Sequence, residues 1–227
     1  MTSAPRLTPE AELVLALQMG DSAYPTGGFA YSWGLETLIA DGLVTRRTLP
    51  VWARAELEGR WHGVDRIALA GAWRAQDTAG LEAWDGIIDL HLWSELQRVQ
   101  SQQAGAATLV AATRLDLPGA AAMRDSVAAN RMAGHFAVLT GALYRAAGLR
   151  LETALLLSAQ GVLRVLLSAA VRLGKAGALE VQAIMTRLAP DLLRLAEPPP
   201  PGALPCGFGP LSDIAQMRPR NGRLFVN

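Results

Sequence analysis

The segment Leu151 to Leu173, LETALLLSAQGVLRVLLSAAVRL, constrains the fold more than any other stretch of the chain. It is apolar almost all round, with Glu152, Gln160, Arg164 and Arg172 as its main polar interruptions. A helix with that pattern belongs at the buried centre of a bundle, because it has no face left for water. Its most apolar part, Thr153 to Leu163, contains Gln160 and is ended by Arg164. A membrane span needs about 20 mostly apolar residues, so the sequence predicts a core helix and no membrane association. Leucine and alanine dominate elsewhere, and both lose little on entering a helix. No stretch alternates convincingly like a strand, and no internal repeat is visible. With 227 residues, 51% of them apolar, the chain can fill a substantial core. The expectation is an all-α, single-domain helical bundle over residues 1–196, followed at 197–227 by an extended, proline-rich C-terminal tail.

Helix punctuation supports this reading. Thr8-Pro9-Glu10 starts a helix with a capping hydroxyl, a first-turn proline and an acid that suits the helix dipole. That helix runs to about Met19 and breaks at Gly20-Asp21. A second is expected to begin near Phe29 or Tyr31 and to end at Asp41-Gly42, where glycine supplies a left-handed cap. Thr48-Leu49-Pro50 starts a third, and helical segments continue to about Arg114. After a turn at Leu117-Pro118-Gly119, Ala120 to Ala147 reads as helix with a break near Gly134, and Gly177 to Ala196 as one more amphipathic helix. EPPPPGALPCGFGP, Glu197 to Pro210, cannot be helical because of its prolines and reads as an extended or mobile linker. The residues after it, LSDIAQMRPRNGRLFVN, carry apolar groups that need a surface to dock on.

The chemistry-bearing residues do not assemble into a catalytic pattern. The 21 basic and 20 acidic residues give a formal charge of +1 without long runs, so there is no footprint for nucleic acid. One cysteine, Cys206, excludes an internal disulfide framework and a cysteine-based zinc site. His91 and Glu95 have one-turn spacing, but two ligands make no metal site; His62 and His135 stand apart. The N-terminus lacks a basic region followed by a long apolar stretch, which predicts a cytoplasmic location. SAYPTGGFAYSWGLE, Ser22 to Glu36, concentrates glycines and aromatics ahead of a helix, yet it has no lysine for a P-loop and no preceding strand. Tyr31, Ser32 and Glu36 carry acid–base-capable groups, and a helical enzyme using them is one alternative. Nothing pairs a nucleophile with an oriented base, so the chain reads as a non-enzyme without catalytic, cofactor or metal residues.

LALQMGDSAYPTGGFAYSWGLETLIADGLV resembles the N-terminal signature of the urease accessory protein F family (UreF). Pro25, Gly27, Phe29, Ser32, Gly34, Leu35 and Glu36 occupy the pattern P-x-G-[GAS]-[FY]-x-x-S-x-G-L-E with correct spacing. ELQRVQSQQAGAATL, GHFAVLTGALYRAAGL, VRLGKAGALEVQ and DIAQMRPRNGRLFVN resemble four further family segments in the right order. The C-terminus departs from the pattern: Pro219 follows Met-Arg where histidine is usual, and the end is RLFVN where R-L-F-x-S is usual.

The resemblance implies an all-helical homodimer acting in nickel delivery to urease. Such a protein binds a scaffold (UreD, also called UreH) and recruits the nickel-carrying GTPase UreG into a complex with apo-urease. The nickel and GTP sites belong chiefly to the GTPase. The changed C-terminus leaves open a regulator of a different GTPase or metalloenzyme. A glycine-rich turn lets backbone approach a partner, and aromatics supply rigid contact area. Pro25, Gly27, Gly28, Phe29, Tyr31, Ser32 and Glu36 are therefore expected to face a partner. In the tail, Arg223, Leu224 and Phe225 are expected to help hold the scaffold.

Overall fold

A computed structural model describes residues 7–25 and 33–218. Among them there are helices and connecting turns but no strand. α1 (Pro9–Met19) is capped by Thr8, whose hydroxyl accepts from the Ala11 N–H at 3.3 Å. α2 (Leu35–Ala40) is shorter than the sequence suggests at its start and ends as expected, with Gly42 at a φ of +72°. α3 (Leu49–Glu56) runs without interruption into a nine-residue π-helix, Leu57–Asp65, and on into α4 (Arg66–Arg74). Then follow α5 (Thr78–His91), α6 (Glu95–Arg114), α7 (Ala120–Ala128), α8 (Phe136–Ala146), α9 (Leu151–Arg172), α10 (Ala178–Leu195) and α11 (Pro210–Met217).

Two apolar clusters make the core. One gathers Leu35, Leu49, Trp52, Leu57 and Trp61 against α9 and α10. The other gathers Leu81, Ile88, Leu109 and Met123 around α4 and α8. α4 and α8 bridge them, and they come together at Gly141, where an added Cβ would sit 2.3 Å from the Leu69 carbonyl oxygen. Only glycine allows that backbone approach.

α9 departs from the all-round burial its sequence suggests. Ala154, Leu155, Leu163, Leu166 and Leu167 are buried, while Glu152, Gln160 and Val171 are exposed and Leu156 and Leu157 only partly covered. By length and composition α9 is the one described helix able to cross a membrane. Its inner face belongs instead to the bundle core.

The proline-rich segment is held, not loose. Arg66 and Arg74 donate to the carbonyls of Glu197 (2.5 Å) and Pro199 (2.7 Å), and the Cys206 N–H donates to the Gly63 carbonyl at 2.8 Å. Gly63 and Gly207 face each other so closely that a Cβ on Gly207 would lie 2.5 Å from the Gly59 oxygen. The prolines stop helix formation here, but hydrogen bonds from the π-helix and α4 fix the path.

Candidate docking site

α11 is amphipathic in the inverted sense. Ser212, Asp213, Ala215 and Gln216 point into the protein and are 1%, 2%, 2% and 7% exposed. Leu211, Ile214 and Met217 point outward and are 40%, 58% and 45% exposed. A surface helix ordinarily buries its apolar stripe and solvates its polar one. Beside it, the rings of Trp93 and Phe208 stack with centroids 5.4 Å apart, and both remain substantially exposed. Large apolar groups gathered on a surface in this way mark an interaction site.

A buried polar network keeps the helix in this orientation. Pro210 stands at the first helical position, where its missing N–H costs nothing. The Asp213 carboxylate reaches back to accept from the Gly209 N–H (2.9 Å) and also accepts from the Gln97 amide of α6 (2.6 Å). Gln97 itself closes a capping box with Ser94 at the start of α6. The Ser212 hydroxyl lies 2.6 Å from Glu56 Oε2 at the end of α3. From the π-helix, the Arg60 guanidinium lies 3.6 Å from Asp213 and 3.5 Å from Asp65. Arg60 and Asp65 are five residues apart, about 140° around an α-helix. The wider winding of a π-helix bonds i to i+5 and brings such residues onto one side, which gives this element a structural purpose here.

The same burial sets the protonation of the acids. Loss of water pushes the Glu56 carboxyl up to about 7, with the neighbouring Asp213 adding to the rise; the Ser212 hydroxyl and Arg60 oppose it. Burial also raises Asp65, against the pull of Arg60. Arg60, Asp65, Gln97 and Gln216 line a cavity of about 120 Å³ together with Thr140 of α8 and Arg164 of α9.

The opening glycine-rich stretch ends against this helix. Gly34 has a φ of +78°, and a Cβ there would lie 3.0 Å from both the Ala215 Cβ and the Ser212 carbonyl oxygen. Leu35 is fully buried in the core, and Glu36 is half-buried in the first turn of α2. Pro25 is exposed. Gly27, Gly28, Phe29, Tyr31 and Ser32, together with Arg223, Leu224 and Phe225, lie outside the described residues. At the far end of α11, Arg218 pairs with Asp41 at the close of α2.

Other chemistry-bearing residues have structural partners. His91 Nδ1 lies 2.8 Å from the Ile87 carbonyl, and Glu95 belongs to the next helix, so the two do not share a helical face. His135 is fully buried at the start of α8, 3.0 Å from Asp89. Cys206 is an exposed free thiol. No cluster of three or more metal-ligating side chains occurs among the described residues.

Sequence reasoning missed Glu56, Arg60, Asp65, Ser212 and the outward face of α11. For α11 a signal existed: Gly209-Pro210 followed by an early acid, with Leu211, Ile214 and Met217 at three-residue spacing. For the acids the signal was slight: Glu56 and Arg60 have the one-turn spacing of any helical ion pair, and Asp65, five residues further on, lies off that face of an α-helix.

The chain is similar to known proteins over most of its length. The UreF family model matches residues 43–189. A urease accessory protein UreF from Paracoccus denitrificans (strain Pd 1222) is 34% identical, with 84% of this chain and 82% of that protein covered. One from Trichodesmium erythraeum (strain IMS101) is 30% identical over 80% of this chain and 81% of the relative. Urease accessory protein F of Arabidopsis thaliana is 30% identical over 76% and 73%. With the all-α fold and the signature glycine seated against the C-terminal helix, these matches show that the chain belongs to the UreF family of urease accessory proteins, accessories to an enzyme and not enzymes themselves.

Proposed function

We propose that this protein is a cytoplasmic, homodimeric adaptor in nickel insertion into urease. It docks on the UreD/UreH scaffold and brings the GTPase UreG to apo-urease. The observation that carries this reading is the inverted α11, whose Leu211, Ile214 and Met217 turn outward while its polar face is spent on holding the helix. Membership in a family of urease accessory proteins supports the choice of partners. Arg223, Leu224 and Phe225, later in the sequence, contribute to scaffold binding in this reading, and Gly34 packs against Ala215 and Ser212 of α11.

The triple variant Leu211→Ser/Ile214→Ser/Met217→Ser tests the assignment. It spares every buried group of α11, so its thermal unfolding should stay close to that of the wild type. Capture of the co-expressed scaffold should fall by at least about tenfold, the effect of losing interface anchors worth more than about 1 kcal/mol. A folded triple variant that captures the scaffold as well as the wild type would remove α11 as the docking face.

A further inference from the structure

Two carboxylates, Asp65 and Asp213, share one guanidinium, Arg60, beneath α11, and a third, Glu56, is buried close by against Ser212. Glu56, Asp213 and Arg60 are 1%, 2% and 7% exposed, and the Asp65 side chain 14%. Fully ionised, three acids against one base leave two negative charges in a place that water hardly reaches. Such a group sheds charge by taking up a proton.

The surrounding elements bring little compensation. α6 contributes Gln97, a neutral amide, to Asp213. α8 brings His135 to the Asp65 side of the cluster. Asp41 at the close of α2 is paired with Arg218 at the other end of α11. Arg54, Glu58, Asp191 and Arg194 pair with one another near α3 and α10, in more exposed positions.

The geometry points to a proton-dependent latch: Glu56 holds a proton that fastens α11 to the bundle, and losing it loosens the helix. Protonated, Glu56 donates to the Ser212 oxygen 2.6 Å away, and the Ser212 hydroxyl turns to the Gly209 carbonyl at 3.4 Å. Ionised, Glu56 accepts from the Ser212 hydroxyl but carries a charge cut off from water beside Asp213, a cost that lifting α11 away relieves. The proton simply exchanges with solvent, so no other reactant is involved.

The sign follows from the direction of the Glu56 shift. Its value with α11 docked, about 7, lies above the ordinary carboxylate value of 4.5. The stabilisation is therefore complete below the ordinary value and is lost as pH rises through about 7. This latch does not depend on which partner binds the outward face.

Hydrogen exchange across Leu211–Met217, corrected for intrinsic rates at each pH, reads the latch directly. Between pH 6 and pH 8 protection in the wild type should fall about tenfold, while Glu56→Gln, a neutral acceptor of the same shape, should stay flat. Unchanged wild-type protection would overturn the proposal. An equal fall in Glu56→Gln would also overturn it, by assigning the titration to another group. Infrared difference spectra of the wild type provide a check that needs no variant. A carboxylic-acid C=O band present at pH 6 and lost by pH 8 is expected, and no such band at pH 6 would overturn the latch.

Discussion

Replacing Arg60 with methionine is expected to destabilise the protein by about 3–5 kcal/mol at pH 8, the cost of removing one partner from a buried ion pair. Methionine keeps most of the side-chain length and removes the charge. Asp213 and Asp65 then lose the guanidinium that lies 3.6 and 3.5 Å away. Unlike an exposed pair, these acids have little water to turn to: Asp213 is 2% exposed. The penalty should shrink at pH 5, because acids deprived of Arg60 take up protons more readily and shed the uncompensated charge. Urea unfolding at both pH values measures the two costs. A penalty below about 1 kcal/mol at pH 8 would place the network on the footing of a surface salt bridge. A penalty as large at pH 5 would show that lost packing, and not charge, is responsible.

Gly141→Ala is expected to be nearly as damaging, at about 2–3 kcal/mol, from overpacking that neither helix can relieve by moving a side chain. The added Cβ meets the Leu69 carbonyl oxygen at 2.3 Å, with the Leu69 carbonyl carbon and Cα behind it at 3.0 and 3.1 Å. Backbone faces backbone, so α4 and α8 must move apart, and both contribute to the second core cluster through Ala68, Ala72, Val138, Leu139 and Leu143. Gly86→Ala provides the contrast. Gly86 lies inside α5 with nothing within 4 Å of its missing Cβ, and alanine there should stabilise by up to about 1 kcal/mol. Thermal unfolding of the two variants should therefore move in opposite directions. A shared direction would mean that helix propensity outweighs the close contact at Gly141.

How far the sequence reveals this molecule depends on which physical signal each part carries. Helix starts marked by Thr8-Pro9 and Thr48-Leu49-Pro50, the left-handed glycine at 42 and the turn at Leu117-Pro118-Gly119 are local matters of backbone chemistry, and the structure has them where the sequence places them. The all-α class is legible for the same reason. The π-helix is not, since Gly59 and Gly63 in Leu57–Asp65 only weaken a helix in general and its winding depends on what packs against it. The proline-rich segment reads as loose because proline forbids helix, and proline says nothing about Arg66, Arg74 and Gly63 reaching out to hold it. The site is harder still. Glu56 and Ser212 are separated by 156 residues, and their hydrogen bond exists only after folding. The inverted face of α11 is visible as a three-residue apolar spacing, but the spacing alone does not reveal which side faces inward.

The role in urease maturation is tested most directly by the nickel content of urease itself. Urease from the same organism would be expressed with its accessory proteins, with and without this chain, and purified for metal analysis. Without the chain, urease is expected to be largely nickel-free and inactive; wild-type protein should restore both properties, and the Leu211→Ser/Ile214→Ser/Met217→Ser variant should not. Urease that carries its full nickel in the absence of this chain would contradict the account.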